Sequence, residues 1–541
     1  MTARDGITLA VDVVLPQAGD RFPVVLTQSR YWRSYLARGQ RGGPTSNVPP
    51  STHHPRTEDL ITAGFAVVNA DTRGTGASEG AWPIMWSDAE ADDAHDLVVW
   101  IAQQPWCDGR VLGAGLSYEG TTAVLAAACQ HPAVHGAVAR GFEWDLYDDI
   151  AAPGGVLNAG FIREWSESCR DLDRNVAPTL FGLWRYLLKS VRPLDHDPQG
   201  AQLAALAAKR SNPDVWESVS ALRSADDEYG TSGTSLRQVS LCARPRVRAE
   251  SCQPLQVWGS WLDGTTSRAV LRMWECVPAV RGAYIGAWSH TGEHGASLGR
   301  KSRPNPPLAR QVETQVEFLR DCLRDDAVDT PRVLHYFTMR EEAWHETTEW
   351  PPAGVAPAVY SLTAEGAIVA GDASAPAASR VYSPDAATTT GKRNRWHTQN
   401  AKPVSIVGRA GVAGRMLVWR TAPLVAPLVV TGEPAVTFTL TSSYASPAVF
   451  AYLEIVDTHG NVHYVTEAIH RALPAAGQPI RLAMRFFPTS VDIPVGWRLQ
   501  IGLAATDADT LPVPLPPGAS WSVAVGGAAP AALWLPVQSG G

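Results

Sequence analysis

The chain lacks any cysteine pattern that would staple or chelate. Its seven cysteines (Cys107, Cys129, Cys169, Cys242, Cys252, Cys276 and Cys322) include no Cys-x-x-Cys pair and are odd in number, which argues against a disulfide framework or a zinc cluster. All seven precede residue 323 and the last 219 residues have none, so the two parts are expected to be different folds. A strong charge of one sign is also missing. The balance of 46 basic and 53 acidic residues, −7 net, gives no general drive toward nucleic acid or an anionic membrane. No apolar run is long enough to cross a bilayer, so no membrane partner is read. The first residues, Met1-Thr-Ala-Arg-Asp-Gly, lack the apolar core of a signal peptide, and the cytoplasm is the expected location. Charged residues are scarce at 18 % while hydrophobic ones reach 45 %, which excludes a disordered chain and calls for large buried cores. With 541 residues, those cores need no metal or disulfide for support.

What is present changes character along the chain. The first third alternates strand-like runs (Ile7 to Leu15, Pro23 to Thr27, Phe65 to Ala70, Arg110 to Gly115, Ala133 to Ala139) with helical ones (Asp88 to Gln103, Tyr118 to Cys129). That βα alternation predicts a parallel sheet covered by helices. Residues 144–245 break the rhythm with helical patterns at Phe161 to Cys169, Leu180 to Val191, Ala201 to Lys209 and Asp214 to Leu222, and read as a helical cap insertion. Strand patterns resume near Leu255 and Ala283, and a helix from Leu308 to Arg324 closes the first fold. Beyond residue 330 short β-type runs, beginning with Val333 to Met339, are separated by Pro and Gly, the signature of an all-β sandwich. The expected fold class is thus α/β with a helical cap, over 1–143 and 246–330 for the core and 144–245 for the cap. A jelly-roll β-sandwich follows over 331–541.

The sharpest local signal is Gly115-Leu-Ser117-Tyr-Glu-Gly120, set between a predicted strand and a predicted helix. A nucleophilic serine needs such a turn to lift its hydroxyl above a sheet. It also needs a base and an acid that orients the base, in that fold class in the order Ser, acid, His after later strands. Asp263 follows the strand ending at Trp258, and His290 follows the strand ending at Gly286, so order and placement agree. Asp263 could instead cap the helix that starts near Thr265. Two rival motifs are weaker. His290-Thr-Gly-Glu293-His294 fits an inverted zinc-protease pattern, but Gly292 and Gly295 oppose the helix that pattern needs. Gly74-x-Gly76 lacks the spacing of a phosphate loop. His53-His54 reads as a solvent-facing loop, and the acidic run Asp226-Asp-Glu228 as either a solvated cluster or a site for a substrate amine.

Several segments together resemble the cocaine esterase and X-prolyl dipeptidyl aminopeptidase family of α/β-hydrolases. They are Arg4-Asp-Gly-Ile-Thr-Leu, Asp71-Thr-Arg-Gly-Thr-Gly, Trp100-Ile-Ala-Gln-Gln-Pro-Trp, the serine turn itself, Trp261-Leu-Asp263, Gly286-Ala-Trp-Ser-His290 and Gly432-Glu-Pro-Ala-Val. The resemblance implies Ser117 as nucleophile, His290 as base and Asp263 as orienting acid. It further implies an oxyanion hole made by the Tyr118 amide and the hydroxyl of Tyr31, with Tyr35 as the alternative. Trp144 and Trp165, in or beside the cap, are candidates to line an acyl pocket. The expected activity is serine-dependent cleavage of a small-molecule ester or amide through an acyl-enzyme, with no cofactor and no metal. An X-prolyl peptidase or β-lactam acylase, a non-hydrolytic acyl transferase and a non-catalytic binding protein are the alternatives. Self-association is left open.

Overall fold

The computed structural model describes residues 1–39, 56–249, 252–324, 331–371, 376–528 and 530–538. His53 and His54 lie outside the described residues. The first fold is built on a nine-stranded sheet. Its strands are β1 (Val11–Val14), β2 (Phe22–Ser29), β3 (Ala66–Asp71), β4 (Cys107–Leu116), β5 (Val134–Arg140), β6 (Leu255–Ser260), β7 (Val280–Gly286), β8 (Val333–Thr338) and β9 (Ala343–Thr347). They lie in the order β1-β3-β2-β4-β5-β6-β7-β8-β9. The pairs from β3 across to β8 are parallel, and only the outer β1 and β9 run antiparallel to their neighbours.

Parallel strands need crossovers, and the crossovers cover both faces of the sheet. This is why β3, Ala-Val-Val-Asn-Ala-Asp, and β6, Leu-Gln-Val-Trp-Gly-Ser, are buried at every residue and show no apolar–polar alternation. The covering helices include α1 (Asp88–Ala102), α2 (Tyr118–Ala127), α4 (Thr266–Cys276) and α5 (Leu308–Asp321). Helix α1 starts where Ser87 Oγ accepts the Glu90 amide, and it buries Ala94, Leu97, Val98 and Ile101; of the stripe expected from periodicity (Ala91, Ala94, Val98 and Ile101), Ala91 is only half-buried.

Between β5 and β6 the chain leaves the sheet and forms the roof over its C-terminal edge. Helix α3 (Ala159–Asp173) is the longest element there, with Ala201–Lys209 and Val215–Ala221 beside it. The helix expected over Leu180 to Val191 is not formed. Short 3₁₀ turns over Thr179–Tyr186, broken at Gly182 (φ 56°, ψ −135°), give way to the strand Leu188–Val191, which pairs with Tyr35–Ala37.

The boundary expected at residue 331 also differs. Val333–Thr338 does not open the sandwich but extends the first sheet, parallel to β7 after the α5 crossover, and β9 folds back on it. A short β run looks the same whichever sheet receives it; the helix before β8 decides the partner, because a parallel strand follows a crossover. The sandwich strands begin at Val355–Leu362. Nearly all pairings there are antiparallel, in a large sheet and a four-stranded one. One cluster of buried apolar side chains runs from Trp82 in the first fold to Leu535 in the sandwich, so the two share a core. Of the cysteines, Cys107, Cys129, Cys169, Cys252 and Cys322 are buried, and all seven are free thiols. No described helix is long and apolar enough to cross a membrane.

Candidate active site

Ser117 sits between β4 and α2 with φ 64° and ψ −122°. A non-glycine residue rarely holds positive φ, and the strain, of order 1–3 kcal/mol, is retained only where the surroundings enforce it. Here the Ser117 amide donates to Arg140 O at the end of β5 (2.8 Å), and Ser117 O accepts the Thr121 amide (3.1 Å). Two glycines make the tight turn possible. A side chain at Gly115 would collide with the Glu119 backbone, and one at Gly120 with Arg140 O.

Tyr118 is fixed at both ends. Its hydroxyl donates to Glu90 Oε2 (2.6 Å) and accepts Trp82 Nε1 (3.0 Å), while its carbonyl accepts Trp86 Nε1 (3.2 Å). Its own amide belongs to the first turn of α2, where N–H groups have no partner within the helix. Burial pushes the Glu90 carboxyl up to about 8, so at neutral pH it is largely protonated.

Tyr31 meets Tyr118 edge to face at 6.0 Å. Its hydroxyl accepts Trp165 Nε1 (2.9 Å), which leaves its own O–H free to turn elsewhere. Burial raises the Tyr31 hydroxyl well above the ordinary phenol range, so it remains a protonated donor. The alternative, Tyr35, packs instead against Phe181 and Trp32.

Asp263 and His290 meet in the core. Asp263 Oδ2 lies 2.8 Å from His290 Nδ1, and both side chains are buried. A carboxylate beside Nδ1 selects the tautomer that carries its proton there and leaves Nε2 with a lone pair. His290 Nε2 is buried and makes no hydrogen bond among the described residues. The imidazole packs on Gly141 and next to Leu116, the residue before Ser117. Helix α4 takes Thr265 as its cap residue, so Asp263 is not its cap. The segment from His290 to His294 is a turn closed by the Ser289 amide on His294 O, with Gly292 at φ 75°, and does not form the helix a zinc-protease motif requires.

Beside the Ser117 turn lies one cleft of about 490 Å³, open mouth included; Asp263 and His290 are not among its lining residues. Ser117, Tyr31, Tyr118 and Trp165 line it, with apolar side chains from the roof such as Leu146, Ile150, Phe161 and Val219. Trp144 does not. Its ring is buried under the Arg248 guanidinium at 5.5 Å, while its amide and carbonyl hold Asp149 and Cys242. The acidic run is likewise not part of the site. Asp226 pairs with Arg237, Asp227 accepts the Arg223 and Ser224 amides, and Glu228 accepts Gly233 N.

Sequence reasoning missed the support that comes from the second half of the chain. Arg395, fully buried, donates from Nη2 to Trp261 O (3.0 Å) and from Nε to Gly264 O (2.8 Å), and Arg395 O accepts Gly264 N (2.6 Å). Asp263 is thus clamped on either side. Thr398 Oγ1 accepts the His290 amide (3.0 Å), and Ser289 Oγ accepts the Val404 amide (3.1 Å). Gln399 donates to Glu143, another unforeseen lining residue (3.0 Å). The only sequence signal is a polar stretch, Lys392-Arg-Asn-Arg-Trp-His-Thr-Gln-Asn400, in surroundings rich in Ala, Thr and Pro. Arg395→Ala is expected to lower kcat about a hundredfold with KM little changed, because loops that shift by an ångström lose alignment. Steady-state kinetics beside a thermal melt checks this; an unchanged kcat would refute it.

The relatives agree with this architecture. Residues 5–292 match the model of the X-Pro dipeptidyl-peptidase (S15) family, and residues 326–520 match the X-Pro dipeptidyl-peptidase C-terminal non-catalytic domain. A Mycobacterium bovis protein named as a candidate serine esterase is 31 % identical, over 94 % of this chain and 90 % of its own. The cocaine esterase of a Rhodococcus species is 27 % identical, over 67 % of this chain and 61 % of its own. The solved CocE/NonD family hydrolase of Staphylococcus aureus shares the fold at 15 % identity, with a TM-score of 0.71 over 99 % of this chain and 92 % of its own. The chain therefore belongs to the cocaine esterase and X-Pro dipeptidyl-peptidase (S15) family, and is a serine hydrolase with an α/β-hydrolase core and an all-β C-terminal domain.

Proposed function

We propose that this protein hydrolyses carboxylic esters with an apolar acyl or alcohol part, using Ser117, His290 and Asp263. The observation that carries the reading is the buried Asp263–His290 pair, with Nε2 unengaged and the ring packed beside the turn that holds Ser117. Ser117 Oγ forms a bond to the ester carbonyl carbon while its proton passes to His290 Nε2. The oxyanion that develops takes hydrogen bonds from the Tyr118 amide and the Tyr31 hydroxyl. Asp263 stabilises the imidazolium. When the C–O bond to the alcohol breaks, Nε2–H protonates the leaving oxygen. Water then adds to the acyl-enzyme and gives its proton to Nε2, and collapse returns that proton to Ser117 as the acid departs.

An ester is favoured over a peptide because the acidic run in the cap, the one candidate for binding a free amine read from the sequence, is consumed by Arg237 and backbone amides. The mostly apolar lining and the ester named for the Rhodococcus relative point the same way. A panel of 4-nitrophenyl esters, aryl amides and aminoacyl-prolyl amides tests the reading, with turnover expected on the esters. Faster release from the prolyl amides would overturn the ester assignment. Failure of a fluorophosphonate probe to label the protein, or labelling that survives Ser117→Ala, would overturn the nucleophile. Tyr31→Phe deletes one oxyanion donor and is expected to cost about 10²–10³ in kcat. The edge-to-face contact with Tyr118 keeps the ring in place, so KM should stay near wild type. Trp165 Nε1 loses its acceptor, so the melting temperature should fall slightly.

A further inference from the structure

The cleft contains one acidic side chain that the proposed mechanism leaves unused. Glu143 lies three residues beyond the end of β5 and lines the same space as Ser117 and Tyr31. It is only 6 % exposed. Its Oε1 accepts the Gln399 amide (3.0 Å), whereas Oε2 is buried and has no hydrogen-bond partner among the described residues. Most of its neighbours in the cleft are apolar, among them Leu146, Ile150, Phe161 and Leu236.

The charges around it decide its form. Asp149 and Asp263, on two other segments, both oppose a negative charge on Glu143, and Arg268 is the cation that favours one. Arg268 is already committed. Its Nη2 and Nε donate to Asp149 Oδ1 (2.8 and 3.2 Å), and its Nη1 pairs with Asp148 (3.1 Å). Gln399 supplies one neutral hydrogen bond. A buried carboxylate with an unpartnered oxygen and two carboxylates nearby is costly, and the group keeps its proton instead. Burial, followed by Asp149 and Asp263, raises Glu143 well above the usual carboxylate range. A protonated carboxyl whose Oε1 already accepts Gln399 carries its hydrogen on Oε2, where it is a donor.

We propose that Glu143 is a specificity-determining residue that donates a hydrogen bond from Oε2 to an uncharged acceptor on the substrate. The preferred esters would then be apolar molecules that carry one such oxygen. The proposal rests on the assignment of Ser117 and its cleft as the reacting site. It also separates this chain from a site for α-amino esters, because an ammonium group needs an ionised partner and Glu143 offers a neutral one.

The test uses the full-length protein and methyl esters of 2-methoxy-, 2-ethyl- and 2-amino-3-phenylpropanoic acid, which share one skeleton. Wild type is expected to prefer the methoxy ester to its apolar isostere by at least about tenfold in kcat/KM, since a buried donor left unpaired is penalised. The amino ester should be the poorest. Glu143→Gln retains a donor and should retain the order; Glu143→Leu has none and should lower the methoxy ester to the level of the ethyl one. The proposal is overturned if wild type shows no preference for the methoxy ester. It is also overturned if wild type favours the amino ester and Glu143→Gln abolishes that preference. Should Glu143→Leu not fold, the wild-type order and Glu143→Gln still decide. Labelling of wild type by a fluorophosphonate separates the two levels: labelling without substrate preference sinks only the role of Glu143, while absence of labelling sinks the assignment of Ser117.

Discussion

Replacing Ser117 by alanine is expected to lower kcat by about 10⁵- to 10⁶-fold, the scale on which removal of a triad nucleophile acts. The fold should survive. The Ser117 turn is held through backbone groups, by the amide on Arg140 O and the carbonyl under Thr121 N, and alanine keeps both. Alanine also accepts the same positive φ at the same steric cost, so the melting temperature should match wild type. Glycine at this position would relieve strain of order 1 kcal/mol or more and be slightly more stable, with equal loss of activity. The measurement is kcat on the best 4-nitrophenyl ester, with circular dichroism to show an unchanged fold. Retained turnover in a folded Ser117→Ala protein would transfer the chemistry to another residue.

The second large effect is expected from Asp263→Asn, about 10⁴-fold in kcat. The change is nearly isosteric, so the argument is about a proton. Asparagine facing His290 Nδ1 through its NH₂ selects the imidazole with its proton on Nε2. That nitrogen then has no lone pair to accept the serine proton. The same variant discriminates between roles. If Asp263 served only to begin α4, asparagine would replace it without loss, because Asn and Asp cap helices equally well. A fall in stability should accompany the loss of activity. The Arg140 guanidinium is buried between Trp258 and Trp288 with no hydrogen bond among the described residues, and Asp263 is the charge that favours its ionised form. Burial already pushes Arg140 down to about 10, and removing the Asp263 charge leaves that cation less compensated. Pre-steady-state acylation, which isolates the step that uses the base, checks the kinetic part. A thermal melt checks the other.

Elements whose cause is local were readable from the chain. The α1 stripe from Ala94 to Ile101 is a periodicity of one helix, and the serine turn is a spacing of two glycines around Ser117. Asp263 and His290 are local in the same sense, as polar residues just past the ends of apolar strands. Leu180 to Val191 has the apolar spacing of a helix, yet Gly182 takes a conformation no helix contains. The exposed side chains of Leu183 and Trp184 show that the stripe has no core to face. Trp144 illustrates the opposite failure: aromatic character does not say which way a buried ring points.

By itself, then, the sequence determined a parallel α/β core, a change to β structure in the second half, and the positions of Ser117, Asp263 and His290 just past the ends of strands. Each depends on residues a few positions apart, where spacing translates directly into a face, a turn or a strand end. Tertiary structure alone decided that β8 and β9 complete the first sheet, that Glu143 rather than Trp144 enters the cleft, and that Arg395, Thr398 and Gln399 brace loops 108 to 256 residues away. Such contacts have no local signature. They arise when two separately legible folds bury a common apolar core, and the backbone groups stranded at that junction, Trp261 O, Gly264 O and His290 N, must find hydrogen-bond partners wherever the other chain segment passes.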